Sequence, residues 1–108
     1  MDDSRALYEE KTALLKALSH PLRLQIVRGL LVGGCHNVRC MESGTGQSQS
    51  TISQHLMRLK AAGVVKCQRS GHEMYYEVAD PQAAAVVAAL FGDEAGDYNC
   101  PCADGEEA

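Results

Sequence analysis

Apolar residues recur at the spacing of one face of an α-helix in two stretches of residues 4–31, the first of which is a broken stripe of Leu7, Leu14, Leu15 and Leu18. His20-Pro21 interrupts the pattern, and proline is favoured in the first turn of a helix, where a backbone amide hydrogen has no partner. The pattern therefore predicts one helix over 4–18 and a second from Pro21 to the glycine pair at 33–34. The residues that we expect the second helix to bury are Leu22, Ile26, Leu30 and Leu31.

Two further helices are predicted in the middle of the chain. The first is short, begins at Asn37 and ends in a turn over 43–46. The second covers 48–62, because Ser48 is a favourable N-cap and Gly63 suits the left-handed conformation that ends a helix. The apolar residues expected to face a core are Val38 and Met41 in the short helix, and Ile52, Leu56 and Leu59 in the longer one.

A hairpin and a last helix complete the predicted fold. Two β-prone runs, 64–69 and 73–78, flank a Gly-containing turn. The final helix, 81–91, is apolar nearly all round, so we expect it to bury itself against a partner. The fold class is thus mainly α with a small β-hairpin: a winged helix-turn-helix, homodimeric through its first and last helices.

Charge divides the 108 residues into two parts. The formal net charge is −4, but residues 92–108 hold six of the fourteen acids and no Lys or Arg. We therefore predict a DNA-binding and dimerisation domain over 1–91, followed by an acidic, cysteine-bearing flexible tail over 92–108. The chain shows no apolar signal core or membrane-length apolar run, so we expect a cytoplasmic protein without a membrane partner.

The polar side of the 48–62 helix suits double-stranded DNA. Short uncharged side chains that both donate and accept hydrogen bonds can read base edges in a major groove, whereas cations bind phosphates. Taken alone, such a helix is more commonly a solvated surface helix, but the basic hairpin behind it favours DNA binding. We predict base contacts from Gln49, Ser50, Thr51, Ser53 and Gln54, and phosphate or minor-groove contacts from Arg58, Lys60, Lys66, Arg69 and His72.

Four stretches, in order, resemble the ArsR/SmtB family of bacterial winged-helix repressors. They are residues 16–23, 49–56, 59–65 and 71–76, and the resemblance extends over about 7–91. It implies a homodimer that binds a palindromic operator and leaves it when an inducer binds. Inducers in this family are thiophilic metal ions, metalloids, or oxidising and persulfidating agents.

The known sensing sites of that family are mostly missing. Asn37 and Arg39 stand where its Cys-Val-Cys motif on the third helix has thiols. Its metal site on the last helix matches Asp80 alone, since Gln82, Asp93 and Gly96 occupy the other positions. A zinc site of that second type is not expected, because the replacement residues are poor substitutes for imidazole.

Five cysteines in a cytoplasmic chain favour thiol chemistry or metal binding over a disulfide framework. Cys100 and Cys102 flank one proline and can grip a single soft ion, such as trivalent arsenic or cadmium. Cys35 or Cys40 would supply a third thiolate. The alternative is a redox or persulfide-sensing pair of Cys35 with Cys100.

Two functions of other classes remain as alternatives. A small thiol oxidoreductase fits poorly, because the chain has no Cys-x-x-Cys motif and no alternation of strands and helices; we predict that the protein is not an enzyme. A winged-helix module that binds only proteins is also compatible with the elements. The polar helix and the basic hairpin favour DNA.

Overall fold

Five α-helices and one two-stranded antiparallel hairpin form the described part of the chain, residues 3–33 and 36–92, in a computed structural model. The elements are, in order, α1 (Asp3–Leu18), α2 (Pro21–Arg28), a π-helical turn (Gly29–Gly33), α3 (Val38–Thr45), α4 (Gln49–Ala61), β1 (Val65–Ser70), β2 (Glu73–Val78) and α5 (Pro81–Phe91). The predicted fold class is confirmed, with α3 and α4 as the helix-turn-helix and the β1–β2 hairpin as the wing. The predicted tail lies outside the described residues beyond Gly92.

The predicted start of α2 is confirmed. His20 is its N-cap, and the Nδ1 atom of His20 accepts a hydrogen bond from the backbone N–H of Leu22 at 3.1 Å. Pro21 is the first helical residue, where its missing amide hydrogen costs nothing. A local signal of two residues therefore sets where this helix begins.

The end of α2 differs from the prediction. The regular helix ends at Arg28 and continues as the π-helical turn, which has more residues per turn than an α-helix. The α-helical spacing therefore no longer predicts which side chains face inward. Leu30 is buried as expected, whereas Leu31 is 37% exposed, and the fully buried position is Val27.

The connection between α3 and α4 is shorter than predicted. α3 continues to Thr45, so the predicted turn over 43–46 is helical except at its last residue. The hydroxyl of Thr45 donates to the carbonyl of Met41 at 2.7 Å and supports this final turn. Gly46 then takes the left-handed conformation, with φ of 75°, and ends the helix.

The wing confirms the predicted hairpin. Its strands pair from Val65 with Val78 to Ser70 with Glu73, so two residues form the turn. Gly71 is one of them and has φ of 66°, a value that favours glycine. The backbone amide of Ala79 donates to the carbonyl of Val64 at 2.7 Å, which ties the end of the hairpin to the residue that precedes it.

One apolar core holds these elements together. It contains the predicted inward residues of α4 and Met41 of α3, while Val38 is partly buried against it. The largest side chains that are almost wholly buried are Ile26, Ile52, Leu56, Leu59, Val27, Val64 and Val87. Because three of these seven lie on α4, the core fixes this helix and leaves its other side exposed.

The first and last helices each retain exposed apolar side chains. Leu7 and Leu15 on α1 and Leu90 on α5 are about half exposed or more. The two helices are linked by a hydrogen bond from the Lys11 ammonium to the Gln82 side-chain oxygen at 2.8 Å. In the described ranges, no helix has the length and apolar character needed to span a membrane.

Candidate nucleic-acid interface

The first turn of α4 is fixed by Ser48. Its hydroxyl oxygen accepts a hydrogen bond from the backbone amide of Thr51 at 3.3 Å, as expected of an N-cap. The same hydroxyl donates to the Thr51 hydroxyl at 3.1 Å. The cap therefore sets the direction in which the polar residues of this turn project.

The five candidate base-contact residues of α4 do not all have the same exposure. Gln49, Ser50 and Gln54 are exposed, and nothing in the described part of the chain covers them. Thr51 and Ser53 are half-buried, and the Thr51 hydroxyl is already bonded to the cap. The two glutamines and Ser50 thus form the most accessible polar surface of the helix.

The five candidate phosphate-contact residues are all exposed. They lie on two elements, with two on the second half of α4 and three on the wing: Arg58, Lys60, Lys66, Arg69 and His72. Lys66 forms an ion pair with Glu77 on the paired strand, with 3.4 Å between its Nζ and the nearer carboxylate oxygen. Positive charge therefore lies both on the second half of α4 and on the wing.

A second group of basic side chains, which the sequence did not indicate, lies where α2 starts beside α4. The rings of His20 and His55 are in contact, with centroids 4.4 Å apart. Arg23 and Arg58 are close enough to act electrostatically on His55. The Nε atom of Arg23 and the Nδ1 atom of His55 are buried and have no hydrogen-bond partner among the residues that the structure describes.

The environment of His55 disfavours its charged form. Burial lowers the pKa of His55 most, and the nearby side chains of His20, Arg23 and Arg58 lower it further. His20 and His55 are 35 positions apart in sequence, so no local pattern could predict their contact. His20 also serves as the N-cap of α2.

Cys40 is the candidate thiol ligand that the structure describes. It lies on the first turn of α3, is 2% exposed and is disulfide-bonded. Cys67 on β1 is a free, half-buried thiol opposite Tyr76, as expected of a packing residue. Cys35, Cys100 and Cys102 lie outside the described residues. Within 3–33 and 36–92, no group of three or more potential metal ligands forms.

The start of α3 is hydrogen-bonded to the wing. The side-chain oxygen of Asn37 accepts from the backbone amide of Cys40 at 2.8 Å, and its Nδ2 donates to the Glu73 carboxylate at 3.2 Å. The backbone amide of Tyr76 donates to the carbonyl of His36 at 2.8 Å. A change in position of the first turn of α3 would therefore be transmitted to β2.

Comparison with known proteins identifies a family and several relatives. Residues 20–66 match the family described as bacterial regulatory protein, arsR family. The chain is 37% identical over 90 residues to the biofilm growth-associated repressor of Xylella fastidiosa, an alignment that covers 83% of this chain and 78% of that protein.

Solved structures resemble the fold over nearly their full length. The transcriptional repressor PagR of Bacillus anthracis superposes with a TM-score of 0.71 at 33% identity, covering 80% of this chain and 98% of PagR. A homodimeric winged helix-turn-helix DNA-binding domain from Mycobacterium bovis gives a TM-score of 0.72 at 31% identity, covering 87% of this chain and 88% of that domain. The chain is similar to these regulators over both the helix-turn-helix and the wing.

Proposed function

Because the chain belongs to the ArsR family of bacterial regulatory proteins and is a DNA-binding transcriptional repressor of that type, we propose that its homodimer binds duplex operator DNA through α4 and the wing. In this arrangement α4 enters the major groove and the wing lies along the backbone or minor groove. Thiol chemistry at the cysteines releases the repressor from its operator.

The exposed polar surface at the start of α4 carries this proposal. The inward stripe of α4 is completely buried, so the helix has one orientation. Gln49, Ser50 and Gln54 project from the opposite side. Glutamine and serine side chains offer the donors and acceptors that base edges require. Exposed cations on α4 and the wing supply the contacts that position such a helix on DNA.

Exposed apolar residues support the dimer. Leu7, Leu15 and Leu90 lie on α1 and α5, the two helices that we predicted to form the interface. A second copy would remove these side chains from water. The related domain from Mycobacterium bovis is described as homodimeric, which supports the same assembly here.

Cysteine chemistry is the proposed release signal, and it has two forms. In the first, Cys100 and Cys102 bind trivalent arsenic, cadmium or another soft ion together with Cys35 or Cys40. In the second, two thiols form a disulfide or react with a persulfide, for which we predicted Cys35 and Cys100. The disulfide at Cys40 favours the second form and adds this residue to the redox pair as a candidate.

The hydrogen bonds at the start of α3 support a route from either chemistry to DNA. Cys40 shares its turn with Asn37, which contacts Glu73 on the wing. Movement of this turn would displace β2, whose neighbouring turn carries His72. An inducer must bind the DNA-free arrangement more tightly for this movement to release the operator.

The test is operator affinity by fluorescence anisotropy, using duplex DNA from the promoter of the protein's own gene. The reduced protein is expected to bind, and trivalent arsenic, cadmium, a persulfide donor and an oxidant are then titrated separately. Release by a soft ion that is lost in Cys100→Ser/Cys102→Ser supports the metal form. Release by oxidant or persulfide that reductant reverses, and that is lost in Cys40→Ser or Cys35→Ser, supports the redox form.

Cys67→Ser is the matched control, since Cys67 is free and lies on the wing. It is expected to keep both DNA binding and release. A reduced protein that does not bind its own promoter would overturn the repressor proposal, and release that survives loss of the other four cysteines would overturn the thiol proposal.

A further inference from the structure

Four basic side chains meet where the start of α2 packs beside α4. His20 and Arg23 come from α2 and its cap, and His55 and Arg58 come from α4. The two imidazole rings are in contact at 4.4 Å between centroids, and both arginines act on His55. We call these four residues the α2–α4 basic cluster.

Within residues 3–33 and 36–92, the α2–α4 basic cluster has no counter-charge. The groups that act on the charge of His55 are His20 and Arg23 from the α2 side and Arg58 from its own helix, and none is acidic. Within the described residues, neither Arg23 nor Arg58 takes part in an ion pair. Grouped cations cost stability unless an anion compensates them, so the arrangement is suited to an anionic ligand.

The available nitrogens of the cluster are mainly hydrogen-bond donors. The Nδ1 of His20 accepts from the Leu22 amide, so its other ring nitrogen, Nε2, carries a hydrogen and is a donor. A guanidinium has donors only. The buried Nε of Arg23 and Nδ1 of His55 have no partner, although buried polar atoms are nearly always paired. Because these two atoms have almost no accessible surface in the free protein, an acceptor reaches them only when the Arg23 and His55 side chains turn outward.

The position of the cluster on α4 indicates which anion this is. His55 is half-buried, between the core residue Leu56 and the exposed Gln54, and Arg58 lies one turn further along the same side. A helix in the major groove has a phosphate backbone along each flank. The flank of α4 next to α2 would therefore face one backbone, on the opposite side from the wing.

We propose that the α2–α4 basic cluster binds one phosphate of the DNA backbone, and that this contact is accompanied by uptake of a proton at His55. The proposal rests on the function proposed above, because it requires α4 to lie in the major groove. Arg23 and His20 then join the DNA interface, and His55 connects operator affinity to pH.

The direction of the pH effect follows from the charges. In the free protein, burial and three basic neighbours lower the pKa of His55. A bound phosphate favours the imidazolium and raises that pKa, so the complex holds more protons than the separate molecules. Affinity must then rise as pH falls, by at most about tenfold per pH unit for one proton.

The first test measures operator affinity by fluorescence anisotropy at constant ionic strength from pH 8 to pH 6. We expect wild-type affinity to rise about five- to tenfold over this range, given one proton taken up. His55→Asn should lose most of this rise, because asparagine does not titrate. The matched control is His72→Asn at the wing tip. This variant should retain the part of the pH-dependent rise in affinity that is due to His55.

The second test separates phosphate binding from a purely structural role. Arg23→Met keeps the apolar stem and removes the donors. It should lower operator affinity and reduce the salt slope of binding by about one, as expected for one lost phosphate contact. Its thermal unfolding temperature should not fall, because the buried donor has no partner in the free protein. The matched control is Arg5→Met, at an exposed ion pair on α1, which should keep the slope.

Two outcomes would overturn this inference alone. One is a rise in operator affinity on lowering the pH that persists in His55→Asn. The other is an unchanged salt slope of binding in a folded Arg23→Met. Both leave the repressor proposal intact, because wild-type binding is still observed. If the wild-type protein binds no duplex DNA at any pH in this range, the proposed function itself fails, and this inference fails with it.

Discussion

The α2–α4 basic cluster and the wing both lie beside α4, and they carry positive charge in different ways. In the cluster, His20, Arg23 and His55 are half-buried and Arg58 is exposed; among the described residues they have no acidic partner, and one nitrogen each of Arg23 and His55 is unpaired. On the wing, Lys66 is exposed and shares its charge with Glu77. Three of the four cluster residues are thus less exposed than the cations of the wing, one of which is paired with a carboxylate.

This difference predicts different contributions to binding. A fixed donor pays little conformational entropy when it binds a phosphate, whereas a long exposed side chain must be ordered. Exposed charges also interact weakly in water and salt. We therefore expect the α2 flank to set the position of α4 on DNA and the pH dependence of operator affinity. The wing is expected to add non-specific, salt-sensitive affinity.

The largest effect is expected on the free energy of unfolding, from a buried residue of α4, the helix beside both regions. Ile52 is fully buried on the inward stripe of α4, so Ile52→Ala should lower the free energy of unfolding by about 2–5 kcal/mol. Urea denaturation followed by circular dichroism measures this loss. Met57→Ala, at a 65% exposed position of the same helix, should stay within about 0.5 kcal/mol. Equal losses in the two variants would contradict the orientation of α4.

The next largest effect is expected on operator affinity, from the exposed polar residues of α4. Gln54 is exposed on α4, and a lost base contact costs about 1–3 kcal/mol, which is about a five- to 150-fold loss of operator affinity. We expect Gln54→Ala to show this loss in fluorescence anisotropy. Affinity for unrelated duplex DNA should remain unchanged. A parallel loss on both DNAs would assign Gln54 to the backbone instead.

Much of the framework could be predicted from the sequence because its signals are local. His20 before Pro21, Asn37 and Ser48 each cap a helix through a side chain that bonds an amide two or three residues away. Gly63 has φ of 80° immediately after α4, as its position predicted. Helix starts and the hairpin were therefore predicted within one or two residues.

The α2–α4 basic cluster and the π-helical turn could not be predicted in this way. The contact of His20 with His55 joins residues from different helices, so it exists only after the core has formed. The π-helical turn breaks the periodicity on which the burial of Leu31 was predicted. Periodic reasoning fails where the backbone changes its period, and it does not reveal which side chains of different elements meet.

The smallest effect is expected on operator affinity when the wing loses an acidic partner, so that its basic side chains, like those of the cluster, have none. Glu77→Gln removes the partner of Lys66 and a carboxylate that would repel phosphate. Because an exposed pair contributes about 0–1 kcal/mol, operator affinity should rise only about two- to threefold at low salt, and the gain should disappear at high salt. Glu9→Gln is the matched control, since it breaks a similar exposed pair with Arg5 on α1. If Glu77→Gln instead weakens binding, Glu77 positions Lys66 for the backbone, and the wing is as preorganised as the α2 flank.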